Sequence, residues 1–246
     1  SGVRVTTGDL DGDGVKEIIT APGAGGRPHI RVFDGEGNPK ITAGFFALDG
    51  KFQGGANVSA GDVNGDGKDE IIVAASKGGG PHVTIHWPDG RILGNFMAYD
   101  KDFRGGISIG NADMDGDGDK EIITGPENGK PHVQMFGWEE GGIKRLNPGF
   151  FAFAESFNGG LSLAGGDVDN DGRDELAVSQ RTNGQAWVKV YRSQDQSIIT
   201  NFLAYFSTFQ GGANVSCGDV DGDHKDEVIT VPGSNGGPQV RIFSIY

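Results

Sequence analysis

Apolar and polar positions alternate with a period of two in short runs along the whole chain, and no stretch carries a helical period. The clearest runs are Pro28-His-Ile-Arg-Val-Phe33, Pro81-His-Val-Thr-Ile-His86, Pro131-His-Val-Gln-Met-Phe136, Ala186-Trp-Val-Lys-Val-Tyr191 and Pro238-Gln-Val-Arg-Ile-Phe243. Each follows a Gly-rich turn, before which stands a β-prone run opened by an acid: Glu17-Ile-Ile-Thr, Glu70-Ile-Ile-Val, Glu121-Ile-Ile-Thr, Glu175-Leu-Ala-Val and Glu227-Val-Ile-Thr. Earlier still, runs of alternating apolar and small or polar residues begin at Val3, Ala56, Ile107, Leu161 and Ala213. Later in each unit come Gly44-Phe-Phe-Ala-Leu48, Asn95-Phe-Met-Ala-Tyr99, Gly149-Phe-Phe-Ala-Phe153 and Asn201-Phe-Leu-Ala-Tyr205, with Phe-x-Gly-Gly at Phe52, Phe103, Phe157 and Phe209. The pattern predicts an all-β fold in which four short strands recur.

Between the first and second strands of every unit lies one loop with acidic or amide side chains at positions 1, 3, 5 and 9. The five sets are Asp9, Asp11, Asp13, Glu17; Asp62, Asn64, Asp66, Glu70; Asp113, Asp115, Asp117, Glu121; Asp167, Asp169, Asp171, Glu175; and Asp219, Asp221, Asp223, Glu227. Their first aspartates are 53, 51, 54 and 52 residues apart, so one unit of about 52 residues is repeated. Alternate side chains of a tightly curled loop converge on a point, and oxygen ligands without His or Cys select a hard cation. Calcium tolerates this loose geometry better than magnesium, which demands an octahedron. Positions 4 and 6 are Gly in most copies, with Asn170 and His224 the exceptions, which suits a backbone of positive φ. Position 7 varies (Val15, Lys68, Asp119, Arg173, Lys225), as expected where only a backbone carbonyl is used. An EF-hand is the nearest alternative, but its loop ends in Glu at position 12 between helices; here position 12 is Thr20, Val73, Thr124, Val178 or Thr230. Without a cation, three or four inward carboxylates repel one another, which weighs against five metal-free acidic turns.

Glycine supplies 45 of the 246 residues and falls at fixed places in each unit, marking turns rather than disorder. Positions 1, 3, 5 and 9 of the loops supply nineteen of the 34 acids, and five divalent ions would bring the formal charge from −13 to −3. With no basic stripe, a nucleic-acid partner is not expected. No apolar run approaches a membrane span, so membrane insertion is not expected either. Cys217 is the single cysteine and occupies a position filled elsewhere by Thr7, Ala60, Asn111 and Gly165, a packed filler.

Repeated four-stranded units point to a β-propeller. The string Gly61-Asp-Val-Asn-Gly-Asp-Gly-Lys-Asp-Glu-Ile-Ile72, followed by Gly78-Gly-Gly-Pro-His-Val83, resembles the FG-GAP or VCBS-type repeat of bacterial surface proteins, which is related to the calcium-binding blades of integrin α-subunit propellers. The resemblance covers the whole chain. It implies a propeller with structural calcium, about five ions, in the loop between the first two strands of each blade, usually outside the cytoplasm. The expected architecture is a single domain, 1–246, of five blades at about 1–53, 54–104, 105–158, 159–210 and 211–246, the last without its fourth strand. Five-blade closure is favoured over a piece of a longer array, and the edge from Gln239 to Phe243 is then free to pair with another chain or module.

Residues that repeat in phase read as structural, including His29, His82 and His132 and the aromatic positions. No catalytic motif is present, and the first strands carry Arg4, Asn57, Ser108, Ser162 and Asn214 with no acid, against a glycosidase that uses central carboxylates. A non-enzymatic extracellular or cell-surface binding, adhesion or scaffolding module is expected, with a protein or glycan ligand and a lectin as the alternative. The candidate ligand contacts are those that break the repeat: Arg181, Trp187 and Trp138, with Glu139 and Glu140 in the longest loop between third and fourth strands.

Overall fold

The computed structural model describes residues 2–245, which form twenty β-strands and no helix. The strands fall in five consecutive antiparallel sheets. The first holds β1 (Val3–Gly8), β2 (Glu17–Pro22), β3 (His29–Phe33) and β4 (Phe45–Phe46). The second holds β5 (Ala56–Gly61), β6 (Glu70–Ala75), β7 (His82–His86) and β8 (Ile92–Met97). The third runs through β9 (Ile107–Ala112), β10 (Glu121–Pro126), β11 (His132–Glu139), β12 (Gly142–Arg145) and β13 (Phe150–Phe151). The fourth is β14 (Leu161–Gly166), β15 (Glu175–Gln180), β16 (Trp187–Tyr191) and β17 (Ile198–Leu203), and the last is β18 (Ala213–Gly218), β19 (Glu227–Pro232) and β20 (Arg241–Phe243). These are the five blades of a β-propeller, the last with three strands. By contacts the chain divides into two compact units, Ser1–Ile109 with Phe136–Leu146, and Gly110–Met135 with Asn147–Tyr246.

Two elements differ from the reading by pattern. The stretch carrying Glu139 and Glu140 is not a loop: β11 continues to Glu139 and folds back into β12, pairing Trp138 with Ile143. Gly141 and Gly142, at φ 99° and 117°, make that turn, and Lys144 closes it on Glu139 at 2.6 Å. The third strand of the last blade begins only at Arg241, not at Pro238. In the second and fourth blades the start of this strand pairs with a fourth strand (His82 with Met97, Trp187 with Leu203), and the last blade lacks that partner.

Within each unit, blades pack face to face. In the first, Ile19, Ile30 and Val32 of blade one close on Ala56 and Ala60 of blade two's first strand. In the second, Ile123, Val133 and Met135 meet Leu161 and Leu163, while Val188 and Val190 meet Ala213 and Val228. Burying each such aliphatic side chain contributes about 1.5–3 kcal/mol. First strands carry small residues because backbones come close there: a Cβ on Gly8 would lie 2.6 Å from that of Ala60. The Phe-x-Gly-Gly segment locks one blade to the next, since a Cβ on Gly79 would fall 2.9 Å from Cζ of Phe52. The recurring alanine of Phe-x-Ala is buried, and its carbonyl accepts from the next blade's third strand: Lys189 Nζ and Tyr191 Oη reach Ala152 O at 2.8 and 2.6 Å, and Arg241 Nη1 reaches Ala204 O at 2.9 Å.

Candidate metal centres

Each acidic loop is curled by its first aspartate. Asp9 Oδ1 accepts the Gly12 amide and Oδ2 the Gly14 amide, both at 2.8 Å. The position-6 amide meets position 1 in all five blades, from Gly67, Gly118, Gly172 and His224 onto Asp62, Asp113, Asp167 and Asp219 at 2.7–3.1 Å. This fold-back needs a left-handed backbone, and His224 (φ 69°) and Asn170 (φ 60°) adopt it as the glycines do. The position-5 carboxylate accepts the position-7 amide in every copy, from Val15, Lys68, Asp119, Arg173 and Lys225, at 2.8–3.0 Å.

The glutamate at position 9 is the buried member. Glu17, Glu70, Glu121, Glu175 and Glu227 are 0–7% exposed, and one oxygen of each accepts the position-2 amide at 2.8–3.3 Å, from Leu10, Val63, Met114, Val168 and Val220. In the third, fourth and fifth loops the glutamate also stands close to two of the loop's aspartates. Ligand atoms of Asp113, Asp115 and Glu121, of Asp167, Asp169 and Glu175, and of Asp219, Asp221 and Glu227 lie within 4.8 Å of one another, as do those of Asp9, Asp11 and Asp13. In the second loop Asn64 Nδ2 donates to Glu70 Oε1 at 2.8 Å, so an amide stands among Asp62, Asp66 and Glu70. Burial, reinforced by the neighbouring aspartates, pushes Glu70 up to about 8 and Glu121 and Glu175 up to about 7. Glu175 Oε1 is buried with no hydrogen-bond partner. A donor set of hard oxygens with one orphaned buried carboxylate oxygen fits a hard divalent cation.

Position 8, which the pattern left without a role, joins consecutive blades. Asp69 Oδ2 accepts the Asp9 amide at 2.8 Å, while the Asp69 amide donates to Asp9 O at 2.9 Å. Asp174 makes the same exchange with Asp113 (2.8 and 2.7 Å) and also receives Lys120 Nζ at 2.8 Å. The Asp226 amide donates to Asp167 O at 2.8 Å. Two of the polar first-strand residues likewise bond between blades: Asn57 Nδ2 donates to Ile107 O at 2.6 Å, and Ser162 Oγ accepts the Val215 amide at 3.1 Å.

Residues 9–73 and 167–230 match the model of the FG-GAP-like repeat, more than half of the chain. The chain belongs to the FG-GAP-like repeat family. No curated protein is detectably similar to it in sequence. Among solved structures it is similar to the exotype rhamnogalacturonan lyase YesX (17% identity, TM-score 0.52, covering 98% of this chain and 55% of that one). An Agrocybe aegerita lectin described as recognising non-reducing terminal N-acetylglucosamine gives 17% identity and TM-score 0.52, covering 98% and 62%. A Bacteroides caccae protein of unknown function gives 13% and 0.53, covering 93% and 73%. At these identities the likeness is one of fold, and this FG-GAP chain spans little more than half the length of the lyase.

Two of the three proposed ligand contacts, Arg181 and Trp187, lie in the second unit. Arg181 is ion-paired to Glu127 at 2.7 Å, both side chains nearly buried, and Trp187, at the start of β16, packs against the apolar core of the second unit. Trp138 belongs to the first unit, where its ring lies over Gly94 of β8 at 3.2 Å from where a Cβ would stand. His29 and His132 stack on Phe46 and Phe151, and His82 Nε2 contacts Asn95 Oδ1 at 3.3 Å, which are structural roles. Cys217 is half-buried near Asp226 and Asp174, and desolvation raises its thiol pKa.

Proposed function

We propose that the five acidic loops are calcium sites of a structural kind, and that the chain is a calcium-stabilised binding or scaffolding module acting outside the cell or at its surface. The observation that carries this reading is the recurrence in three loops of a buried glutamate with an oxygen within 4.8 Å of two aspartate oxygens, with Glu175 Oε1 left without a partner. Calcium supplies the positive charge that such a set lacks. The loop residues would hold it through Asp9, Asp11, Asp13 and Glu17 and their counterparts, with the position-7 carbonyls of Val15, Lys68, Asp119, Arg173 and Lys225. Native mass spectrometry after chelation and calcium titration tests this: up to five bound ions are expected, and none would refute it.

A glycan is the second reading for the ligand. Phe206, 77% exposed, replaces the acid or alanine of other blades (Asp49, Asp100, Ala154), and Arg241 lies 5.8 Å over its ring. With Tyr205, Asn235 and Gln239 it lines a cleft of about 190 Å³, an aromatic floor with amide rims of the kind that stacks on a sugar. Solved structures of this fold include the lectin and the lyase named above, whose ligands are theirs. Glycan-array binding lost in Phe206→Ala would favour the glycan; capture of a protein without sugar competition would favour a protein partner. We read the chain as non-catalytic, since the first strands carry no acid and two of their polar residues, Asn57 and Ser162, are engaged between blades. The edge of β20, unpaired on one side among the described residues, is offered for strand addition, and sedimentation unchanged up to high concentration would count against self-pairing there.

A further inference from the structure

In the first loop a cation of the chain's own reaches the buried position-9 glutamate, which among the described residues it does in no other loop. Lys40 lies outside the repeated motif, on the irregular connection from β3 to β4, where its amide donates to Val32 O at 3.0 Å and Pro39 bridges Phe33. Its Nζ is 2.6 Å from Asp11 Oδ2 and 2.7 Å from Glu17 Oε1. Glu17 is 2% exposed and its other oxygen is taken by the Leu10 amide at 2.9 Å. The ammonium therefore occupies the one buried carboxylate oxygen that in the fourth loop, on Glu175, has no partner. The lysine enters a cleft of about 250 Å³ walled by Leu10, Val32, Ile41 and Pro88, which suits its aliphatic stem.

The other blades have no equivalent among the described residues. Counted back from the phenylalanine of the fourth strand, Lys40 corresponds to Arg91, which pairs with Asp89 at 2.7 Å at the turn before β8. Arg192 approaches Asp169 at 3.6 Å, while Glu175 Oε1 stays without a hydrogen-bond partner. Lys40 is positioned to bridge the third and ninth positions because β4 is only two residues long, leaving 34–44 to fold back over the loop.

We infer that Lys40 is a tethered counter-ion of the first loop, so that this loop takes a divalent ion last, or only when the lysine swings out. The inference rests on the calcium reading of the other four loops. A divalent ion arriving at Asp11 and Glu17 must break two charge-assisted contacts and meet a competitor held at the site by the chain, whereas among the described residues no position-9 glutamate of the other loops is paired to a lysine or arginine. The first loop is charge-compensated without metal, which keeps that blade's loop formed when calcium is scarce.

Native mass spectrometry of the full chain across a calcium titration, on wild type and Lys40→Met, reads this directly. Wild type should take four ions over one concentration range and the fifth at roughly tenfold higher free calcium; Lys40→Met should take five over one range. Wild type filling all five together, or a variant that still stops at four, would overturn the role of Lys40 and leave the calcium reading intact. No ions on either protein would overturn both. Should the variant fold poorly, amine acetylation with peptide mapping of the four-ion wild type replaces it. Lys40 should then react more slowly than exposed Lys51 and Lys101, and equal rates would refute the pairing.

Discussion

Replacing Asp174 tests the claim that position 8 holds consecutive blades together. Asp174 Oδ2 accepts from the Asp113 amide and from Lys120 Nζ, each at 2.8 Å, and its side chain is 16% exposed against 34% for Lys120. A hydrogen bond to a charged acceptor is worth about 1.5–3 kcal/mol. The ion pair, partly open to solvent, adds about 0.2–1 kcal/mol. Asp174→Ala removes both and leaves the Asp113 amide without its acceptor, so the expected loss is about 2–4 kcal/mol. For a chain of this size that corresponds to a melting temperature lower by roughly 4–16 °C. Asp174→Asn keeps an oxygen for the amide and gives up only the charge, so about 1 kcal/mol is expected, close to the cost of Lys120→Met. Urea unfolding in saturating calcium, with the ion count checked in each variant, gives these differences, and the double variant gives the coupling. The reasoning fails if Asp174→Ala lies within about 0.5 kcal/mol of wild type, or if it costs no more than Lys120→Met.

Three further outcomes follow from the same geometry. Because Glu70 sits at about 8 and Glu121 and Glu175 at about 7 in the metal-free fold, raised by burial, each disfavours folding as pH climbs from its unfolded value near 4.5 through those values. The chelated protein should thus melt higher at pH 5.5 than at pH 8.5, with the reverse order in calcium, and a chelated melt that does not change over that range would contradict the assignment. Gly159→Ala should destabilise by more than about 2 kcal/mol, since the added Cβ would overlap Thr182 O and lie 2.5 Å from Cζ of Phe157; a neutral chemical-denaturation midpoint would refute the packing. At the Arg181–Glu127 pair, 12% and 10% exposed, Glu127→Gln alone should cost about 3 kcal/mol by stranding the guanidinium. Joint replacement by Met and Leu should recover most of that loss, and equal losses for single and double variants would show the pair is not the cause.

What was legible in the sequence is what each repeat does by itself. The alternation located the strands because every strand has one face turned toward a neighbouring blade, and the 1, 3, 5, 9 spacing located loops whose glycines, Asn170 and His224 have the positive φ that the curl requires. What was missed depends on two repeats at once. Down the chain, position 8 reads Lys16, Asp69, Lys120, Asp174, Asp226, which looks like free variation. Read between successive blades it is a rule: an aspartate in one blade accepts the first-aspartate amide of the blade before, and the lysines fall in blades that precede an aspartate, as Lys120 precedes Asp174. The Lys/Asp order was the available signal. Arg181 and Glu127 were opaque for the same reason, because each is solitary in its own repeat and the pair exists only when two Gly-rich turns are side by side. Lys40 was further hidden because a short β4 lets an irregular connection reach a loop that the period says nothing about. In a repeat protein the in-phase residues therefore report the blade, whereas residues that break phase report a contact with something else, whether a neighbouring blade, as at Arg181, or solvent and a ligand, as at Phe206. Exposure separates Arg181 from Phe206: the arginine is nearly buried with its partner Glu127 in the adjacent blade, and Phe206 stands open beside a cleft.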